Sequence, residues 1–218
     1  TYILPLIAGV VPEDLHDEVL AGFEETLKVK NKGHLSTGLS GTYLMIQYLQ
    51  SIGRDDLIYT FASKKTYPSW GHMLENGATA TWEHWNGSAS RIHNCYNNIG
   101  SWFIQGLAGI RPDPERPGFK HAIIKPAFVE ALSYVNGSHD SVYGTIQSNW
   151  KREGDTITMD VVIPANSTAT VYVPAGDIAD VTVNGKAVQD ADHVTFRGME
   201  EGRAVVDVGA GCYRFQAR

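Results

Sequence analysis

Between positions 67 and 87 the chain places Trp70, Trp82 and Trp85, three of its five tryptophans, beside Glu75, Glu83, His72 and His84. A sugar site uses that mixture of residue types. Indole faces pack against the apolar C–H patches of a pyranose, while carboxylates and imidazoles take its hydroxyls by hydrogen bond. Cleavage of a glycosidic bond needs two carboxyl groups, one as acid and the other as base or nucleophile. This stretch can supply one of them. Glu83 is the first candidate, because Trp82 and Trp85 on either side would partly desolvate it. Glu75 offers the same chemistry, and spacing alone does not rank the two. The alternative is a surface carboxylate beside tryptophans that merely pack together.

Two histidines outside this stretch can also hold a hydroxyl. His93 sits just ahead of an expected helix, and His34 lies in the glycine-rich run Gly33-His34-Leu35-Ser36-Thr37-Gly38. Either can equally serve as a cap or core residue. The histidines and carboxylates show no HExxH or similar spacing, so no metal site is expected. The glycine-rich run lacks the GK[ST] ending of a phosphate cradle, and no GxSxG nucleophile motif occurs. No cofactor is expected. Cys95 and Cys212 make neither a disulfide framework nor a zinc set and read as two small buried thiols.

A formal net charge of −6 without a basic stripe argues against nucleic acid as a partner. No apolar stretch approaches the roughly 20 residues that span a bilayer, so no membrane partner is expected. The chain opens at Thr1 without a basic-then-apolar leader, inside what reads as the tail of a helix. Its true start is therefore expected elsewhere, and the compartment cannot be read.

The elements that must carry these residues change character along the chain. Up to about residue 110 the period is helical. Pro12 suits a first turn, acidic Glu13 and Asp14 complement the helix dipole, and Leu15, Val19, Phe23 and Leu27 recur on one face. Further helices are expected through residues 43–49, from Asp55 through Phe61, and over 96–107. Residues 33–42 and 67–93 read as long non-helical segments, which tend to be functional. Three prolines and a glycine in residues 111–118 mark a boundary. Beyond it the period becomes two, in 142–150, 156–161, 168–173 and 204–208, with turn chemistry at Glu153-Gly154-Asp155 and Asn184-Gly185-Lys186. The expected architecture is helical first and an antiparallel β-sandwich second, with domains over 1–113 and 114–218.

Several motifs together resemble α-L-rhamnosidases of glycoside hydrolase family 78. They are Gly33-His34-Leu35-Ser36-Thr37-Gly38, Tyr67-Pro68-Ser69-Trp70-Gly71 and Gly77-Ala78-Thr79-Ala80-Thr81-Trp82-Glu83-His84-Trp85, in that order. Ser90-Arg91-Ile92-His93, Ile99-Gly100-Ser101-Trp102 and Tyr143-Gly144-Thr145-Ile146-Gln147-Ser148-Asn149-Trp150 extend the likeness over nearly the whole chain. The resemblance implies the C-terminal part of an (α/α)6 barrel followed by a C-terminal β-sandwich. It implies an inverting hydrolase acting on rhamnosides, with Glu83 as general base and His93 as a rhamnose contact. Trp70 and Trp82 follow as sugar-site aromatics, and His34 as a further substrate contact. The chain departs from the family pattern at Ile92, where Asn is usual, and at His84, where many members carry Arg. Only about five helices are legible, far fewer than a complete barrel holds. The general acid and the remainder of the catalytic domain are expected upstream of Thr1. The segment alone is expected to be inactive and to expose apolar surface where missing helices pack. Two other readings stay open: a non-catalytic carbohydrate-binding segment, and a glycosidase of the same barrel type acting on another sugar.

Overall fold

A computed structural model describes residues 2–218. The chain divides into two compact units, residues 1–102 and 103–218. The division falls earlier than the 113/114 boundary expected from the prolines. Ile110–Pro112, ahead of that expected boundary, pairs as a strand with His121–Ile124 and so enters the second unit's sheet.

The first unit is helical. Its elements are α1 (Ile3–Ile7), α2 (His16–Glu25), α3 (Leu39–Ser51), α4 (Asp55–Ala62), α5 (Trp70–Glu75) and α6 (Ile99–Ser101). A 3-10 turn over Glu13–Leu15 precedes α2 and a wider π turn over Thr26–Lys30 follows it, so the expected helical run is continuous. Of its predicted face, Phe23 and Leu27 are buried while Leu15 stays exposed. The core forms where α3 contributes Met45, Ile46 and Leu49 and α4 contributes Leu57, Ile58 and Phe61. Asp55, 7% exposed at the first position of α4, accepts a hydrogen bond from Trp102 Nε1 at 2.7 Å. That bond gives a buried carboxylate the donor it requires.

Three expectations for the helical part are corrected. Helix α3 begins at Leu39, four residues inside the stretch expected to be irregular, and residues 67–93 contain α5. Ser69 starts α5 with extended backbone angles, its hydroxyl accepting from His72 N at 2.9 Å. That is an N-cap bond satisfying one of the helix's free donors. The last expected helix is α6 continued by a π turn over Trp102–Leu107, beginning at Ile99 rather than at Tyr96.

The second unit is built of strands β1 (Ile110–Pro112), β2 (His121–Ile124), β3 (Tyr134–Ser141), β4 (Gly144–Glu153), β5 (Thr156–Ile163), β6 (Thr168–Pro174), β7 (Val181–Val183), β8 (Lys186–Ala187), β9 (Val194–Glu200), β10 (Arg203–Val208) and β11 (Gly211–Ala217). They form a five-stranded sheet in the order β1-β2-β6-β10-β9 and a six-stranded sheet in the order β3-β4-β5-β11-β7-β8. One core draws on both sheets, with Ile124, Val171 and Val206 from the first and Ile146, Trp150, Met159 and Phe215 from the second. The unit is therefore a two-sheet sandwich. It is not purely antiparallel, because β2 and β6 run parallel, with Ile124 opposite Val171.

The period-two segments over 142–150, 156–161 and 168–173 become strands because alternate residues bury, whereas in β10 Ala204, Val205 and Val206 are buried in succession. In β4, Ile146, Ser148 and Trp150 face inward while Gln147 and Asn149 do not. At the tip between β7 and β8, Asn184 (φ 51°) and Gly185 (φ 78°) both take left-handed angles. That is the pair a two-residue hairpin demands. Val142 and Tyr143, expected within a strand, lie in the turn before β4, and Val142 is 89% exposed.

Candidate active site

The candidate residues lie in the first unit: His34 ahead of α3, Trp70 at the start of α5, and Trp82, Glu83 and His93 on the segment after α5, which side-chain bonds to backbone hold. Residues 81–93 fold back on themselves. His93 N donates to Thr81 O at 2.8 Å and Glu83 N donates to Ser90 O at 2.8 Å. Thr81 Oγ1 donates to His93 O and also meets Asn97 Oδ1. The reversal is made by a tight turn in which Gly87 N donates to His84 O at 2.9 Å, with Gly87 at φ 69°. Asn86 Oδ1 accepts from Ser88 N at 3.0 Å, an Asx turn. Glycine at 87 has a second reason: an added Cβ would stand 3.0 Å from the Trp82 ring.

Glu83 emerges from this reversal half-buried, and its Oε2 accepts from Ser90 N at 3.2 Å. The carboxylate is thus oriented by backbone and has capacity left to accept further bonds. Cys95 is 6% exposed, and its Sγ lies 2.9 Å from His93 Nδ1. Burial, and then the Glu83 charge, push the Cys95 thiol above its usual range. Cys95 therefore contacts His93 and feels the Glu83 charge, which makes a loose cluster of the three. Glu75 is elsewhere, exposed at the C-terminal end of α5.

The aromatic residues pack mainly on one another. Trp85 stacks on Tyr96 at 3.8 Å between ring centroids, and Trp70 meets Trp85 edge-on at 5.2 Å. Their polar edges are satisfied: Trp70 Nε1 donates to Tyr96 O at 3.0 Å, and Trp85 Nε1 to Thr37 O at 3.3 Å. Trp82 is 3% exposed, with the Arg91 guanidinium 5.1 Å from its ring centre. Little of that ring is left for a ligand, and Trp70 is only partly open. His34 has both ring nitrogens engaged, Nδ1 with Pro68 O at 3.2 Å and Nε2 with Thr66 Oγ1 at 3.0 Å. A carbonyl only accepts, so Nδ1 carries the proton and Nε2 takes the threonine hydroxyl. His34 consequently ties down the loop that leads into Ser69.

Of the five residues singled out from sequence, Glu83 and His93 lie on the two facing arms of one reversal. Trp70 packs against Trp85 and Tyr96, Trp82 is buried within the segment itself, and His34 anchors the loop ahead of Ser69. Sequence reasoning missed the roles of Ser90, Thr81 and Cys95. The Asn86-Gly87 dipeptide was the available signal for the reversal, being common turn chemistry. His93 and Cys95, two residues apart, carried no comparable signal. A cleft of about 590 Å³ lies beside the cluster, with Asn94, Cys95, Asn97 and Asn98 on one wall and Leu39, Ser40, Tyr43 and Leu44 on the other. It has the size of a small-molecule site, although neither Glu83 nor His93 lines it. Among the described residues no group of three or more His, Cys, Asp or Glu is placed to hold a metal ion, and no helix is long and apolar enough to cross a membrane.

Residues 1–107 match the bacterial alpha-L-rhamnosidase 6 hairpin glycosidase domain, and residues 109–188 match the bacterial alpha-L-rhamnosidase C-terminal domain. An alpha-L-rhamnosidase of Alteromonas sp. (strain LOR) is 38% identical over 164 residues, which cover 70% of this chain and 18% of that protein. The crystal structure of Streptomyces avermitilis alpha-L-rhamnosidase complexed with L-rhamnose superposes with a TM-score of 0.85 at 28% identity, over 100% of this chain and 21% of that one. The alpha-L-rhamnosidase from Dictyoglumus thermophilum gives 0.84 at 30% identity, over 100% and 25%. The chain thus spans a quarter or less of the length of these relatives. Its two matched segments lie end to end, and on them this chain belongs to the bacterial α-L-rhamnosidase family, with part of the 6-hairpin glycosidase domain followed by the C-terminal domain.

Proposed function

We propose that this chain forms the base-bearing portion of an inverting α-L-rhamnosidase that releases terminal α-L-rhamnose from glycosides or polysaccharides. The observation that carries the reading is Glu83, half-buried and oriented by Ser90 N in a cluster with His93 and Cys95. In this reading Glu83 takes a proton from water as the water attacks the anomeric carbon. A carboxylic acid on the opposite side of the sugar protonates the leaving oxygen. That acid belongs to helical-domain sequence upstream of residue 1. His93 holds a rhamnose hydroxyl. Glu75 is exposed at a helix end, and among the described residues its carboxylate has no hydrogen-bond or ion-pair partner. The exposed side chains Leu4, Ile7, Leu39 and Tyr43 belong to surface that further helices of that domain cover.

The decisive experiment is Glu83→Gln in a rhamnosidase of full relative length that carries this segment. The swap keeps the shape and removes the base, so turnover of an aryl rhamnoside should fall at least ~10²-fold. Near wild-type turnover would sink the assignment. The isolated 218-residue chain is expected to give no hydrolysis, because a base without an acid leaves the departing oxygen unprotonated. Calorimetry with rhamnose beside that assay separates the carbohydrate-binding alternative: binding by the full-length protein without turnover favours it, and turnover excludes it. Rhamnose release from a mixed glycan panel, against release of any other sugar, fixes the substrate.

A further inference from the structure

We infer that Cys95 is a positioning residue for His93, its thiol donating to Nδ1 so that the imidazole is held with its proton on Nε2. The consequence for sugar binding rests on the role proposed for His93; the assignment of the proton does not.

The geometry leaves the two groups little freedom. His93 is pinned through its own backbone, N to Thr81 O and O from Thr81 Oγ1, so the residue cannot swing away as a unit. Cys95, two residues on, is buried beside Tyr96, Met73 and Trp82 and forms no disulfide. Its Sγ meets His93 Nδ1 at 2.9 Å. Among the described residues His93 Nε2 has no protein partner.

Chemistry then decides the direction of the bond. A neutral imidazole has one donor and one acceptor nitrogen, and a thiol is a weak donor and a weak acceptor. With sulfur as donor, the proton goes to the ring's strong lone pair. With the ring as donor, its only N–H is spent on a poor acceptor. The first arrangement is favoured. It requires the thiol to keep its proton, and burial first and the Glu83 charge second both favour the neutral thiol. The same two influences argue against Cys95 as a nucleophile, since reactive cysteines sit in electropositive, partly open settings.

With Nδ1 occupied, His93 presents an N–H, not a lone pair, at Nε2. A sugar hydroxyl oxygen meeting it accepts, and that hydroxyl's own proton is left to point at another acceptor. Such a fixed polarity selects among hydroxyl orientations, because the wrong tautomer would leave a lone pair facing a lone pair.

The test needs no variant to begin. Long-range proton–nitrogen NMR on the ¹⁵N-labelled 218-residue chain, with His93 assigned by loss of its signals in His93→Gln, reads the tautomer directly near neutral pH. The expected pattern is protonated Nε2 and unprotonated Nδ1. Cys95→Ser, which keeps a donor, should preserve that pattern, and Cys95→Ala should give a mixture of tautomers. A proton on Nδ1 in the wild-type chain, or an unchanged pattern in Cys95→Ala, overturns the assignment. The sugar contact is tested separately in a full-length rhamnosidase carrying this segment. There Cys95→Ala should raise KM about threefold to tenfold, with recovery in Cys95→Ser. An unchanged KM with an altered tautomer overturns the sugar contact and leaves the proton assignment standing.

Discussion

Trp150 and Trp85 each donate an indole N–H to a backbone carbonyl, Trp150 to Leu107 O at 2.9 Å and Trp85 to Thr37 O at 3.3 Å. Their surroundings differ. Trp150 sits in β4 with Asn149 paired to both Asn136 and Asp160, so its place is set by ladders on either side before its ring is packed. Trp85 lies on a segment without regular structure, and its place is set by the ring stack on Tyr96, by its own bond to Thr37 O and by bonds from Thr81 and Ser90 within the segment. One unit fixes position through repetitive backbone pairing. The other fixes it through individual side chains, each doing a separate job. Repetition tolerates the loss of a surface group, whereas a segment held by single tethers responds to each of them.

The largest effect should come from the shared core of the sandwich. Trp150→Ala removes a side chain 2% exposed together with its bond to Leu107 O, and should destabilise the second unit by about 3–5 kcal/mol. Urea unfolding followed by circular dichroism measures it, and a loss under about 1 kcal/mol would mean the core collapses around the gap. His34→Ala should cost about 1–3 kcal/mol, felt locally, as two ring bonds disappear. Hydrogen exchange should speed up at residues 66–72 with the β4 and β5 amides unmoved. Uniform acceleration would break the contrast between the units.

A graded effect should follow pH. His121 is 3% exposed between Thr168 Oγ1 at 2.6 Å and Thr170 Oγ1 at 2.9 Å. Burial, aided by Arg116 and opposed by Asp113 and Asp207, lowers its pKa. The unfolded chain therefore binds the proton more readily, and the second unit should lose stability as pH falls below the ordinary histidine value of about 6.5. His121→Gln should flatten that dependence between pH 7.5 and 5.5, relative to wild type in the same urea titration. The smallest effect is expected at the surface, where Arg214 makes a two-pronged bond to Asp160 at 2.7 and 3.0 Å. Asp160→Asn should leave the urea midpoint where it is, since exposed ion pairs contribute little.

The same contrast explains what was legible in the sequence. Strands β4, β5 and β6 announce themselves because each buries alternate residues, β10 because its short run is apolar with Ala204, Val205 and Val206 all buried, and the Asn184-Gly185 turn because both residues accept positive φ. Strand β3 does not, since Tyr134–Ser141 alternates only between half-buried and exposed. Strand β2 is four residues long, and its parallel partner begins at Thr168, so no local pattern could reveal the pairing. Helix α5, six residues with two aromatic or imidazole rings, is too short to display a period; its Ser69 cap was the only signal. In the candidate site Glu83 and His93 were visible as chemically capable types, and their motif singled them out. Cys95 was not, because a thiol's role depends on what is buried beside it.

The parallel pairing of β2 with β6 also bears on the order in which the chain can assemble as it is synthesised. Strands β3, β4 and β5 form a meander of neighbours that can pair as soon as each leaves the ribosome. Strand β2, made earlier, must wait for β6, and β6 gains its other neighbour only when β10 emerges. Contacts that close long stretches of chain form slowly. In pulse-labelled refolding the β4 and β5 amides should therefore gain protection before those of β2. Simultaneous protection would show that the two sheets condense together.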